Sequence, residues 1–460
     1  MLKENSKERC LFGTDGVRDL ANQGLMTPEM ALRLGRAYIR YLVESGIPRP
    51  RIVLGRDTRK SGMMLESALA SGMSSAGADV LPLGIIPTPG VSFAIQNLAA
   101  EGGAVISASH NPAEYNGIKF LDGQGFKLSD NAELIIEDIF GDSFTDEWRP
   151  GGASIGGIRR VPNMMDNYAK RIASLSEYGE NLPKSIVFDC AHGAASIVMP
   201  LVLREIGVSF PLIGAEPNGL NINESVGVMH LDHLIDYVTS KKCNLGIAYD
   251  GDADRVLIVD SFGRLIDGDI MLWVLGRWLA AKGGLGTGVI ATVMSNGALE
   301  RNLAEDGIPL FRCSVGDRYV LEKMMECEAR LGGEQSGHII VFPYTNTGDG
   351  LCTAFLFLKA CVALGENIDT LVDRFKPFPQ LLQNIKLAKG VSVAREIIQK
   401  GTAEAEERLN GRGRVLVRPS GTEAVLRLFV EANDDEVVKR TMMFLMDFFR
   451  KHAKDKKNNG

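Results

Sequence analysis

The feature that most constrains this chain is an alternation of short, β-rich apolar runs with amphipathic stretches long enough to be helices. Arg51–Leu54, Ala104–Ser107, Ser185–Asp189, Asn244–Tyr249, Val256–Asp260 and Gly288–Met294 read as strands. Pro28–Glu44, Gly62–Ala76, His230–Ser240 and Asp269–Ala281 read as helices between them. This alternation predicts an α/β fold, with parallel or mixed sheets covered by helices. Ligands of open α/β sheets sit beyond the carboxyl ends of strands. Here several of those ends run into polar, glycine-containing loops: GRDTR, SASHNP, DCAHGA and YDGDADR.

A length of 460 residues is too great for one core and corresponds to about three average domains. Glu147–Pro162, rich in Gly, Pro and Arg, reads as a linker, and Phe375–Pro379 (FKPFP) as a second, because each proline disfavours helix in the residue before it. Beyond it the pattern changes to two strands, Arg414–Arg418 and Ala424–Glu431, followed by a helix at Asp435–His452, which predicts a small α+β domain. With 45% hydrophobic residues there is ample apolar surface to bury, which excludes disorder over most of the chain. Lys and Arg number 51 against 57 Asp and Glu, a net charge of −6. That balance argues against general binding to nucleic acid or a membrane surface, while leaving room for a local basic pocket. The seven cysteines (Cys10, Cys190, Cys243, Cys313, Cys327, Cys352 and Cys361) form no CxxC pair and read as reduced, mostly buried thiols. The charged start MLKENSKERC does not resemble a signal peptide, and no apolar run reaches membrane-spanning length. A cytoplasmic location is expected.

Asp250-Gly-Asp252-Ala-Asp254-Arg255 is the sharpest chemical signal. Three carboxylates at alternate positions beyond a strand repel one another unless a cation sits between them, and hard oxygen ligands suit Mg²⁺ or Ca²⁺. An EF-hand is excluded, since its sixth position holds Arg255 and its twelfth Ser261. The bland alternative is a solvated acidic turn paired with Arg255. Ser107-Ala-Ser109-His110-Asn111-Pro112, taken alone, reads as a polar turn, because no GxSxG elbow is present. Arg418-Pro419-Ser420-Gly421-Thr422-Glu423 has the hydroxyls, glycine and guanidinium of an anion nest, though in isolation an ordinary hairpin turn explains it as well. Gly333-Glu334-Gln335-Ser336-Gly337-His338 offers groups able to read sugar hydroxyls and move a proton. Arg18 in FGTDGVR and Lys119 in NGIK add positive charge. His192, His230 and His233 lack partners at ligand spacing and read as structural.

Together, FGTDGVR (12–18), SASHNP (107–112), NGIK (116–119), DGDADR (250–255), GEQSGH (333–338) and RPSGTE (418–423) resemble the α-D-phosphohexomutase superfamily, in that family's order and across nearly the whole chain. Gln335 and the segment NTGDGL (346–351) resemble its amino-sugar branch; its phosphomannomutase/phosphoglucomutase members typically carry Met in place of Gln335. Asp19 stands where the family's first motif often has glycine.

The resemblance implies three α/β/α domains with mixed sheets (1–155, 156–260 and 261–374) and a smaller C-terminal α+β domain (375–460) around a central cleft. It implies that Ser109 carries a phosphoryl group and that one Mg²⁺ is held by Asp250, Asp252, Asp254 and a phosphoserine oxygen. Arg18, Lys119 and Arg255 would surround the transferring group, and Lys119 or His338 would take the proton. Glu334 and Ser336 would hold sugar hydroxyls; Arg418, Ser420, Gly421 and Thr422 would anchor the unreacting phosphate. The implied reaction converts glucosamine 6-phosphate to glucosamine 1-phosphate through a 1,6-bisphosphate, towards UDP-N-acetylglucosamine and cell-wall precursors. A phosphosugar is the implied partner, and a homodimer is compatible with the resemblance. A phosphomannomutase or phosphoglucomutase is the near alternative. A Mg-dependent phosphatase, with Asp252 as nucleophile in a DxDx[TV] motif, leaves SASHNP, GEQSGH and RPSGTE without roles. A non-catalytic phosphosugar-binding module leaves Ser109 and the three aspartates unexplained.

Overall fold

The computed structural model describes residues 11–13, 15–142, 148–176, 183–387, 393–419 and 425–452. The chain divides into two compact units, Met1–Ser295 with Asp306–Val372, and Asn296–Glu305 with Asp373–Gly460.

The larger unit contains three mixed sheets. The first has the order β1-β5-β4-β2-β3, with β1 Val17–Leu20, β2 Arg51–Arg56, β3 Asp79–Ile85, β4 Gly102–Ile106 and β5 Tyr115–Asp122. β2 pairs in parallel with β3 and β4, while β5 runs antiparallel to β4 and β1. Alternate residues face opposite sides, as the pleat requires. Ile52, Leu54, Ala104 and Ile106 enter one core with Leu34, Tyr38, Leu65 and Ile136, whereas Val53 and Val105 enter another with Val91, Ile95 and Met164. Both faces are therefore covered by helices.

The second sheet has the order β10-β9-β8-β6-β7 (β6 Ile186–Asp189, β7 Leu212–Ile213, β8 Leu245–Tyr249, β9 Val256–Asp260, β10 Leu265–Ile266). The third is β12-β11-β13-β14 (β11 Val289–Thr292, β12 Leu310–Cys313, β13 Leu331–Gly333, β14 Ile339–Val341). Helix starts follow local chemistry. The Thr27, Ser129, Asp267 and Asp349 side chains accept from backbone N–H groups of the helices beginning at Pro28, Asp130, Gly268 and Gly350.

In the smaller unit, β15 Gln380–Lys386, β16 Gly413–Pro419 and β17 Val425–Ala432 form an antiparallel sheet in the order β15-β17-β16. The helices Arg395–Leu409 and Asp435–His452 bury Ala405, Leu409, Val438, Leu445 and Phe449 against Leu426, Leu428 and Val430. The expected α/β fold with a smaller α+β part is what the chain adopts.

Three local expectations change. The segment after Trp148 is not a free linker: Gly157 O accepts from Val80 N, and Arg159 N donates to Val80 O, so residues 157–161 lie along the edge of β3. The sequence reads Ser261–Arg264 as a turn between the DGDADR strand and a helical region; the turn instead joins β9 to β10, so the second sheet runs on to Ile266 before the helix that starts at Gly268. Asp19 needs no glycine-like turn, because it lies in β1 and its carboxylate accepts from Leu20 N and Leu25 N. No single helix among the described residues is long and apolar enough to cross a membrane. Cys190, Cys243, Cys313, Cys327, Cys352 and Cys361 are free thiols.

Candidate active site

Loops from the three sheets of the larger unit meet at one buried cluster. The loop after β4 carries Ser109, whose φ of 50° lies in the left-handed region and whose side chain is buried. Its Oγ donates to Asp250 Oδ2 at 2.5 Å. The loop after β8 turns at Ala253 (φ 56°), where Ala253 N donates to Asp250 O, and this reversal draws together three carboxylates that a straight strand would space about 7 Å apart along one face. One oxygen each from Asp250, Asp252 and Asp254 lies within 4.8 Å of the others, all three residues being buried.

Lys119, on β5, is buried with Nζ 3.0 Å from Asp15, 3.2 Å from Asp252 and 3.8 Å from Asp254. Thr88, first residue of the helix Thr88–Leu98, donates from Oγ1 to Asp252 Oδ2 at 2.6 Å. Arg18 pairs with Asp15 and reaches Ala108 O at 3.4 Å. Lys127 bridges Asp15, at 2.5 Å, and Asp317. The third sheet enters through the β13–β14 turn, where Arg255 and His338 face each other across a backbone bridge and Val256 N donates to Gly337 O. His338 Nε2 is 3.5 Å from Asp317 Oδ2 and 4.0 Å from Asp254 Oδ2. Glu334 accepts from Gly316 N at 3.1 Å and from Ser336 Oγ at 3.3 Å.

The electrostatics follow from burial and charge pairing. Burial, then Asp254 and Asp252, pushes the Asp250 carboxyl well above its ordinary value. Burial acts in the same sense on Asp252, but Lys119 and the Thr88 hydroxyl outweigh it and hold that carboxyl low. Asp15 is likewise held down against burial by Lys119, Lys127 and Arg18. Burial with the nearby Arg255 and Arg18 pulls His110 down to about 4. Asp252 Oδ1, Asp254 Oδ1, Arg255 Nε, His110 Nδ1 and both ring nitrogens of His338 are buried without hydrogen-bond partners. Orphaned carboxylate oxygens beside an orphaned guanidinium nitrogen are what a cation and an anionic ligand together would satisfy.

The structure thus brings together Ser109, Asp250, Asp252, Asp254, Lys119, Arg255, Arg18 and His338, with Glu334 and Ser336 on the His338 turn. Arg418 lies in the smaller unit, near the end of β16 and opposite Arg427 in register, so two like charges face each other across that ladder. Ser420, Gly421 and Thr422 lie outside the described residues. His192 accepts from Glu216 N through Nδ1, while His230 is exposed and His233 lies on a surface helix, none in the carboxylate cluster. Gln335 donates to Asp267 at 3.1 Å, behind the loop that Glu334 and Ser336 share. Sequence reasoning missed Asp15, Thr88, Lys127 and Asp317. Asp15 stood inside FGTDGVR, one of the motifs read, whereas the other three carry no local pattern.

These sheets and this cluster define a class of protein, and the sequence assigns it. Residues 9–146, 166–263, 267–378 and 382–448 match domain I, domain II, domain III and the C-terminal domain of phosphoglucomutase/phosphomannomutase. The chain belongs to that family. It is 44% identical over 447 residues to a phosphoglucosamine mutase of Novosphingobium aromaticivorans, covering 97% of this chain and 100% of the relative. It is 46% identical to a phosphoglucosamine mutase of Paracoccus denitrificans, covering 94% and 97% respectively. Among solved structures, a phosphoglucomutase/phosphomannomutase family protein from Burkholderia thailandensis shares the fold, with a TM-score of 0.79 at 24% identity over 97% of this chain and 98% of that one.

Proposed function

We propose that the chain is a phosphohexomutase that interconverts glucosamine 6-phosphate and glucosamine 1-phosphate through a phosphoserine at Ser109 and a 1,6-bisphosphate intermediate. The observation that carries this reading is the contact of Ser109 Oγ with Asp250, at 2.5 Å, inside a buried triad of carboxylates flanked by Arg18, Lys119 and Arg255. The amino-sugar assignment rests on near full-length likeness to relatives named phosphoglucosamine mutase.

Asp250, Asp252, Asp254 and an oxygen of the Ser109 phosphate would hold Mg²⁺, an assignment supported by the unpartnered oxygens of Asp252 and Asp254. Bound there, the ion would supply charge neutralisation at the phosphoryl oxygens. The remaining work falls to the chain's own groups, since phosphoryl transfer depends on positioning and electrostatics. Arg255, with its orphaned Nε, and Arg18 face the transferring group. The free 1-hydroxyl of the sugar attacks phosphorus, the P–O bond to Ser109 breaks, a P–O bond to the sugar forms, and the hydroxyl proton passes to a base. After the bisphosphate turns end for end, the Ser109 oxygen takes the 6-phosphoryl group and the proton returns to the sugar. Lys119 sits among three carboxylates and suits a fixed positive charge, which leaves His338, neither of whose ring nitrogens makes a hydrogen bond, as the proton carrier. Glu334 and Ser336 would hold sugar hydroxyls, and Arg418 with residues 420–422 the unreacting phosphate.

Peptide mass analysis of purified protein is expected to find phosphate on Ser109, and Ser109→Ala is expected to abolish turnover while phosphosugar binding survives. With trace bisphosphate present, turnover on glucosamine 1-phosphate should exceed that on glucose or mannose 1-phosphate. Phosphate on Asp252 would restore the phosphatase reading, and a preference for mannose 1-phosphate would remove the amino-sugar assignment.

A further inference from the structure

Four residues of the serine loop, Ser109, Asn111, Pro112 and Tyr115, have their backbone geometry set by groups outside the motifs with an assigned role. GRDTR ends β2 and supplies Asp57 and Arg59, both buried. The Asp57 carboxylate accepts from Arg59 Nε at 2.8 Å, from Arg59 N at 2.9 Å and from Ser107 Oγ at 2.7 Å. Ser107 Oγ in turn accepts from Ser109 N at 2.9 Å. The far edge of the guanidinium is spent on backbone carbonyls. Arg59 Nη2 donates to Ser109 O at 3.0 Å and Asn111 O at 2.8 Å, and Nη1 donates to Tyr115 O at 3.0 Å and to Pro112 O. A second donor arrives from the other side. Asn223, in the loop after β7 and itself at φ 60°, gives its Nδ2 to the same two carbonyls, Ser109 O and Asn111 O, each at 2.9 Å.

We propose that Arg59 and Asn223 are positioning residues, which together hold the Ser109 turn in its left-handed conformation and thereby aim the Ser109 hydroxyl at Asp250. This rests on the reading of Ser109 as the phosphoryl carrier. A non-glycine residue stays in the left-handed region only where its surroundings over-determine it. Here the carbonyl of Ser109 is tied by two side chains, its N–H by a third, and the clamp ends on the very residue whose Oγ reaches Asp250. A planar fork is required on the Arg59 side, because four carbonyls and a carboxylate are served at once; an ammonium has three donors and no plane. Arg59 comes from the first sheet and Asn223 from the second, the sheet that also carries Asp250. The turn is therefore registered directly against the element that supplies its acceptor.

The test is steady-state kinetics on glucosamine 1-phosphate, with labelled phosphate transfer from a hexose 1,6-bisphosphate onto dephosphorylated protein, for Asn223→Ala, Arg59→Lys and Ser109→Ala. Thermal unfolding of each variant separates folding from chemistry. For Asn223→Ala, kcat should fall about 10-fold with KM changed less than about twofold, and transfer to Ser109 should slow in parallel. For Arg59→Lys the fall should be about 100-fold. Should Arg59→Lys fail to fold, Asn223→Ala decides, since Arg59 still serves both shared carbonyls in it. Folded variants with a lowered melting temperature but the unaltered chain's kcat and transfer rate would reduce the clamp to a structural feature and overturn the proposal. Turnover by Ser109→Ala would instead overturn the reading on which the clamp rests. An inactive Ser109→Ala beside a fully active Asn223→Ala would overturn the clamp alone.

Discussion

Asp349 shows how a buried carboxyl outside the carboxylate triad ties stability to pH. Burial raises it to about 6, against the Cys352 N–H and Tyr168 hydroxyl, which favour its charged form. A folded-state value above the ordinary 3.8 means that the folded chain holds the proton more tightly. This contribution is therefore complete below about pH 4 and is lost as pH rises through about 6. Asn at this position would keep both contacts, its oxygen accepting from Cys352 N and its amide donating to the Tyr168 oxygen, without titrating. Relative to the unaltered chain, Asp349→Asn should thus gain stability, on the order of 1 kcal/mol in unfolding free energy, between about pH 5 and about pH 8. Urea titrations at the two pH values measure it, and a constant difference would contradict the assignment. The NTGDGL segment was legible as a motif, but nothing in its letters indicates that Asp349 caps a helix and meets Tyr168.

The loops meet only because backbone approaches backbone. A Cβ on Gly251 would lie 2.6 Å from Ser109 O and 2.8 Å from the Ile222 side chain. The carbonyl cannot yield without moving the turn that Arg59 and Asn223 hold. Gly251→Ala is therefore expected to displace Ser109 from Asp250, and a misplacement of about 1 Å is worth about 100-fold in rate. Activity should fall by that order while the melting temperature drops modestly, as assay and calorimetry on one preparation would show. Most of the strands read from the sequence exist within one or two residues: Val256–Asp260 is unchanged, and Arg51–Leu54 extends to Arg56. β5 was not read as a strand, because the Asn116-Gly117 pair inside it is a stronger turn signal than strand signal, and tertiary pairing between β1 and β4 overrides it. β13 and β14 are three residues each, too short for a period of two to declare itself. The serine loop misled in isolation for a related reason: its meaning lies in what the other sheets bring to it.

Taken as one molecule, the larger unit keeps three carboxylates out of water and close together, an arrangement that disfavours its own folded state unless a cation compensates. Lys119 compensates in part, paired closely with Asp15 and Asp252 but only loosely, at 3.8 Å, with Asp254. The other neighbours of Asp254 are also distant, Arg255 at 3.9 Å and His338 at 4.0 Å. Removing that one charge should therefore cost the metal-free chain little and relieve repulsion on Asp250. Binding of a divalent ion, in contrast, would be coupled to folding of the whole unit, because the unfolded chain has no such site. With Mg²⁺ at about 100 times its dissociation constant, the unaltered chain should gain about 2.7 kcal/mol over the same protein in EDTA. In Asp254→Asn the EDTA value should match or exceed that of the unaltered chain, and most of the Mg²⁺-dependent gain should disappear. Thermal unfolding of both proteins in the two conditions tests this without reference to activity. A chain indifferent to Mg²⁺, or an Asp254→Asn variant that loses stability equally in both conditions, would make the triad a structural knot held by Lys119 and not a metal site.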